Sequence, residues 1–181
     1  MNKITQVSSA FRITFQIIFC SLLLLDIIGW YYAPMPLSFM DHIIHMNVIP
    51  KQYPILHILT PAEKLMGFIV SMIPTIIQLS TIYFLIKLFQ LYEKDEFFSA
   101  NSVSYFRKIG YTLLLTQLIQ PLYEGLMGIV ITLNNPHGHR FASITLDQTN
   151  FGIILMALLV ILISWIMAEG CKLREEQQLV I

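Results

Sequence analysis

The stretch TQLIQPLYEGLMG, residues 116–128, decides how the chain is read. It lies inside an apolar run, 109–133, which at about 1.5 Å per residue is long enough to cross a hydrocarbon core of about 30 Å. Yet it carries Gln117, Gln120, Pro121 and Glu124. At helical spacing Gln117, Gln120 and Glu124 fall at i, i+3 and i+7, so they share one face. The spacing predicts a transmembrane helix with a one-sided polar stripe. A carboxyl group at membrane depth is expensive, which makes Glu124 a functional-site hypothesis.

The rest of the composition agrees with a membrane setting. The chain has 181 residues, 56% hydrophobic and 12% charged, with a mean hydropathy of +0.68. Soluble domains carry about 25% charged residues. The formal net charge is zero and there is no basic tract, so direct binding of nucleic acid is not expected. Cys20, inside an apolar run, and Cys171, near the C-terminus, fit neither a disulfide framework nor a zinc cluster and read as small hydrophobes.

Four spans are expected, at about 11–32, 65–87, 109–133 and 151–168, in one membrane domain covering 1–181. The first is too long for a signal-peptide core and lacks a small-x-small cleavage site, so it reads as an uncleaved anchor. Trp30, Tyr31 and Tyr32 read as an interfacial belt at its far end, before Pro34 and Pro36 stop the helix. Thr60-Pro61-Ala62-Glu63 is a capping box with proline at the first helical position. Pro74 should kink the second helix without ending it, and Lys87 marks its exit. Ser99 is the expected N-cap of the third helix. The fourth helix is expected to run past its span through 169–176.

Eight of the 11 Lys and Arg fall on one side of such an arrangement: Lys3, Arg12, Lys87, Lys94, Arg107, Lys108, Lys172 and Arg174. Only Lys51, Lys64 and Arg140 fall on the other. The excess of basic residues places both termini and the 88–108 connector in the cytoplasm, with loops 33–63 and 134–150 outside. The expected fold is therefore all-α, an integral membrane four-helix bundle with both termini cytoplasmic.

Asp26 is the second acid at membrane depth. It lies roughly 7 Å beyond the middle of its span, and Glu124 roughly 4 Å beyond, so the two are matched in depth. Ser71, Thr75 and Gln78 add a polar stripe at i, i+4 and i+7 on the second span. These seven residues form an expected polar seam. It reads either as interhelical glue or as a proton or ion site built on Asp26 and Glu124.

All five histidines lie in the two outer loops. Residues 37–47 read as an amphipathic surface helix. His42 and His45 at i, i+3, with His137 and His139, are candidate ligands for a transition metal such as Zn, Cu, Ni or Fe. An HxxH without a flanking glutamate is not a protease motif. The alternative is that these histidines are ordinary residues of a polar interface.

Two segments carry a family resemblance. The connector LYEKDEFFSANSVSYFRKIG (91–110) matches at Glu96, Phe98, Ser99, Val103, Arg107, Lys108, Ile109 and Gly110. The C-terminus EGCKLREEQQLVI (169–181) matches at Glu169, Gly170, Leu173, Arg174, Glu175, Glu176, Gln177 and Leu179. In these the chain resembles a bacterial family of small four-helix inner-membrane proteins catalogued as a domain of unknown function. It departs from the pattern at Asp95, where glycine is usual, at Ser102, where asparagine is, and at Val180, where threonine is. Members are often encoded beside a Cro/cI-like regulator. The resemblance therefore implies a bacterial inner-membrane protein that engages a cytoplasmic regulator or a second membrane subunit. The expected contact residues are Glu96, Ser99, Arg107, Lys108, Glu169, Arg174, Glu175 and Glu176. The alternative is a small oligomeric proton- or ion-linked transporter. No nucleophile–base pair or zinc motif argues for an enzyme.

Overall fold

In the computed structural model, residues 3–32, 59–136, 139–140, 142 and 148–179 are described. They form four helices, α1 (Lys3–Tyr32), α2 (Pro61–Glu93), α3 (Ala100–Thr132) and α4 (Gln148–Leu179), with no strand among them. At about 1.5 Å per residue each helix runs roughly 45–50 Å, beyond the thickness of a hydrocarbon core. All four carry a segment long and apolar enough to cross a membrane. The fold is an all-α, four-helix membrane bundle. Exposed apolar side chains such as Leu155, Leu159, Leu162 and Ile166 on α4 are what lipid-facing helix surfaces require.

The helices are longer than the apolar runs that predict them. α1 begins at Lys3 rather than near residue 11, α2 continues past Lys87 to Glu93, and α4 extends through the charged tail to Leu179. Hydropathy marks where a helix meets lipid, whereas a backbone ladder continues until a residue breaks it. Pro74 and Pro121 do not break it; α2 and α3 run on through both. Residues 37–47, the expected surface helix, lie outside the described residues.

The start of α2 follows its sequence signal. The Thr60 amide donates to Glu63 Oε2 at 2.7 Å, and the Glu63 amide donates back to Thr60 Oγ1 at 3.3 Å. Glu63 is only 3% exposed and also accepts from Asn134 Nδ2 at 2.9 Å. The cap of α2 is thereby tied to the end of α3.

The contacts divide the chain into two compact units. One comprises Met1–Cys20, Ile77–Gln117 and Asp147–Ile181. In it Phe11 stacks on Phe15 and on Phe89, Phe89 meets Tyr92 edge-on, and Tyr92 lies against Phe97. Gly110 sits so close to α4 that a Cβ there would overlap Ile161. The other unit comprises Ser21–Ile76 and Leu118–Leu146. Its core is Trp30, Leu59, Met127 and Ile131, with Phe68, Val70 and Tyr123 packed against it.

Candidate functional site: a carboxyl cluster and a capped turn

Asp26 is half-buried on α1 and faces two hydroxyls of α2. Ser71 Oγ lies 3.3 Å from both carboxyl oxygens, and Thr75 Oγ1 lies 3.4 Å from Oδ2. Both hydroxyls also reach carbonyls of their own helix, Ser71 to Phe68 O at 2.9 Å and Thr75 to Ser71 O at 2.8 Å. Each hydroxyl has one proton to give. The shorter contacts are to the backbone, and 3.3–3.4 Å is long for a bond to a carboxylate, usually about 2.5–2.7 Å. Asp26 thus keeps acceptor capacity for a further donor.

The indole of Trp30 completes this cluster. Its Nε1–H donates to Ser71 Oγ at 2.9 Å, and the residue is 4% exposed. Tyr31 and Tyr32 are exposed, as an interfacial belt requires, but Trp30 is a core residue. The reason is steric and polar together. Gly67 leaves room for the ring, since a Cβ there would overlap it, and Ser71 supplies the acceptor that a buried N–H needs. The Gly67/Ser71 pair one helical turn apart was the available signal for this contact. Tyr123, in the same unit, stands within electrostatic reach of both Asp26 and Glu124. Sequence reasoning assigned Tyr123 no role.

The other expected seam residues are distributed differently. Gln120 Nε2 donates to Glu124 Oε1 at 3.2 Å, one turn along α3. Gln117 Oε1 is buried without a hydrogen-bond partner. Gln78 is exposed on α2, so the row joining it to Ser71 and Thr75 does not form a buried stripe. The metal candidates His42, His45 and His137 lie outside the described residues, and His139 is exposed. Among the described residues no three His, Cys, Asp or Glu are grouped to hold a metal.

The second cluster is the turn between α2 and α3, residues 94–99. The Glu96 amide donates to Leu91 O at 3.1 Å and the Asp95 amide to Tyr92 O at 3.2 Å. This is the paired-bond ending that usually places glycine in the left-handed region. Here that position is Asp95, with φ of 59°. Asp95 therefore keeps the turn, with aspartate tolerated where glycine is easiest. Ser99 then caps α3 by accepting from the Ser102 amide at 3.1 Å. Ser102, fully buried, donates its hydroxyl to Glu96 O at 2.8 Å and closes the turn on itself.

Around this turn the expected contact residues are mostly accessible. Glu96 and Lys108 are exposed, Ser99 and Arg107 partly so. Phe98 is 61% exposed. Arg12 on α1 and Glu93 on α2 approach to 3.1 Å, an ion pair whose geometry is too oblique for a hydrogen bond. At the end of α4, Lys172 pairs with Glu169 at 3.3 Å, while Arg174 and Glu176 are exposed. The side chain of Glu175 and residues 180–181 lie outside the described residues.

Four apolar helices with a half-buried acid and a capped polar turn define a multi-pass membrane protein. A family profile described as a protein of unknown function (DUF2975) matches residues 44–181, and the chain belongs to that family. Comparison with curated proteins and with solved structures returned no match.

Proposed function

We propose that this chain is a membrane-anchored interaction protein. Its α2–α3 turn and the charged end of α4 dock a cytoplasmic regulator or a second membrane subunit. The observation that carries the reading is the turn itself. Paired backbone bonds, the Ser99 cap and the Ser102–Glu96 bond fix it on both sides, while the aromatic Phe98 beside Glu96 is left exposed. An exposed aromatic on a rigid loop is a low-entropy anchor for a partner. The excess of Lys and Arg on this side argues that it faces the cytoplasm of a bacterial inner membrane.

A second reading rests on Asp26. Its long hydroxyl contacts leave acceptor capacity for a proton or a small cation, and Glu124 is a second acid in the same unit. Two sets of substitutions separate the readings in a cellular reporter of the protein's activity. Glu96→Lys, Phe98→Ala or deletion of 171–181 abolishes activity of an interaction protein, while Asp26→Asn with Glu124→Gln is tolerated. A transporter gives the reverse pattern.

A further inference from the structure

We propose that the groove along the first turns of α3 binds the headgroup phosphate of an anionic phospholipid, with Arg107 as its anchor. The groove encloses about 330 Å³ and is lined by Ala100, Val103, Ser104, Arg107, Lys108 and Tyr111. These positions fall at i, i+3, i+4, i+7, i+8 and i+11, one stripe of a single helix.

Three observations point to an anion. Arg107 is partly exposed at the groove, and its Nε has no hydrogen-bond partner within the protein. The guanidinium fork matches phosphate geometry better than any other side chain. Lys108 Nζ stands 5.3 Å from the Tyr105 ring and 5.7 Å from the Phe84 ring. The rings hold the ammonium in place without cancelling its charge. Neither Arg107 nor Lys108 pairs with a carboxylate among the described residues. The groove is thus a preformed positive site.

Depth and lining favour a lipid over a soluble phosphate. The apolar run of α3 starts at residue 109, which sets Arg107 and Lys108 at headgroup level whichever way the helix crosses. Ala100 and the exposed Tyr111 ring offer apolar surface beside the cations, suited to glycerol and the first methylenes of an acyl chain. Arg107 and Lys108, expected from the sequence as partner contacts, are here assigned to lipid, while docking rests on the turn at 94–99 and the end of α4.

The test uses the full chain purified in neutral detergent, followed by native mass spectrometry and thermal unfolding. Phosphatidylglycerol is expected to form adducts and raise the unfolding temperature; phosphatidylcholine and glycerol 3-phosphate are not. Arg107→Gln should weaken phosphatidylglycerol binding by roughly fivefold or more, with Arg107→Lys in between. Phe98→Ala, which alters the docking turn without changing its charge, should leave lipid binding unchanged. Wild-type binding by Arg107→Gln with an unchanged helical circular-dichroism spectrum overturns the proposal. Equal binding of glycerol 3-phosphate also overturns it, and assigns the groove to a soluble phosphate ligand.

Discussion

The Trp30 indole donates to Ser71 Oγ at 2.9 Å, and that same oxygen lies 3.3 Å from the Asp26 carboxyl. A single serine hydroxyl thereby links the core of one unit to its half-buried acid. Removing it should have two separable effects. Ser71→Ala leaves the buried indole N–H unsatisfied and is expected to cost about 1–3 kcal/mol. In a Trp165→Phe background, where Trp30 is the one remaining indole, the loss should appear as a shift in its emission and a lower unfolding temperature. An unchanged spectrum would mean that the bond does not exist in the membrane-embedded protein.

Asp95 holds the left-handed position that ends α2. Glycine adopts that conformation without a Cβ clash, so Asp95→Gly should stabilise the protein by about 0.5–1 kcal/mol. Asp95→Val should destabilise it, because a β-branched residue fits that region poorly. Thermal unfolding of the two variants in one detergent decides the point; the opposite order would show that the Asp95 side chain contributes more than its backbone strain costs.

The Arg12–Glu93 pair joins α1 to α2 beside the stacked Phe11, Phe15 and Phe89 rings. Both side chains are partly exposed and the approach is oblique, so its coupling energy should be under about 1 kcal/mol. A double-mutant cycle of Arg12→Gln and Glu93→Gln on unfolding temperature measures it. A coupling several times larger would make the pair a principal clasp of the unit.

Orientation has its own check. In a Cys20→Ser, Cys171→Ser background, Glu96→Cys should resist a membrane-impermeant thiol reagent in intact cells and react after lysis. Asn134→Cys should react in intact cells. The reverse pattern would place the turn outside the cytoplasm and remove the ground for a cytoplasmic partner.

Much of this architecture was legible in the sequence, for physical reasons that differ by residue. Thr60, Pro61 and Glu63 carry local capping chemistry, and Ser99 likewise, so the starts of α2 and α3 follow from a few adjacent residues. The extension of α4 past its span was legible, but the end of α2 was not. The apolar run ends at Lys87 but the helix continues to Glu93, because hydropathy and backbone pairing stop at different places. Trp30 misled for another reason. An aromatic triplet at the end of a span reads as an interfacial belt, but the space above Gly67 and the Ser71 acceptor turn the indole inward. Gln78 shows the limit of periodicity: sharing a helical face with Ser71 and Thr75 did not bring it inside, because a common face does not guarantee a neighbouring helix along its whole length. The Asp26–Ser71–Thr75 contact required two helices to meet, which spacing along one helix does not encode.

Docking of a partner on the α2–α3 turn can be read out by photo-cross-linking from position 98 in living cells. A photoreactive phenylalanine analogue at Phe98 is predicted to give a discrete protein adduct. That adduct should disappear with Glu96→Lys and persist with Asp26→Asn plus Glu124→Gln. Adducts to lipid alone, or a protein adduct indifferent to Glu96→Lys, would contradict it.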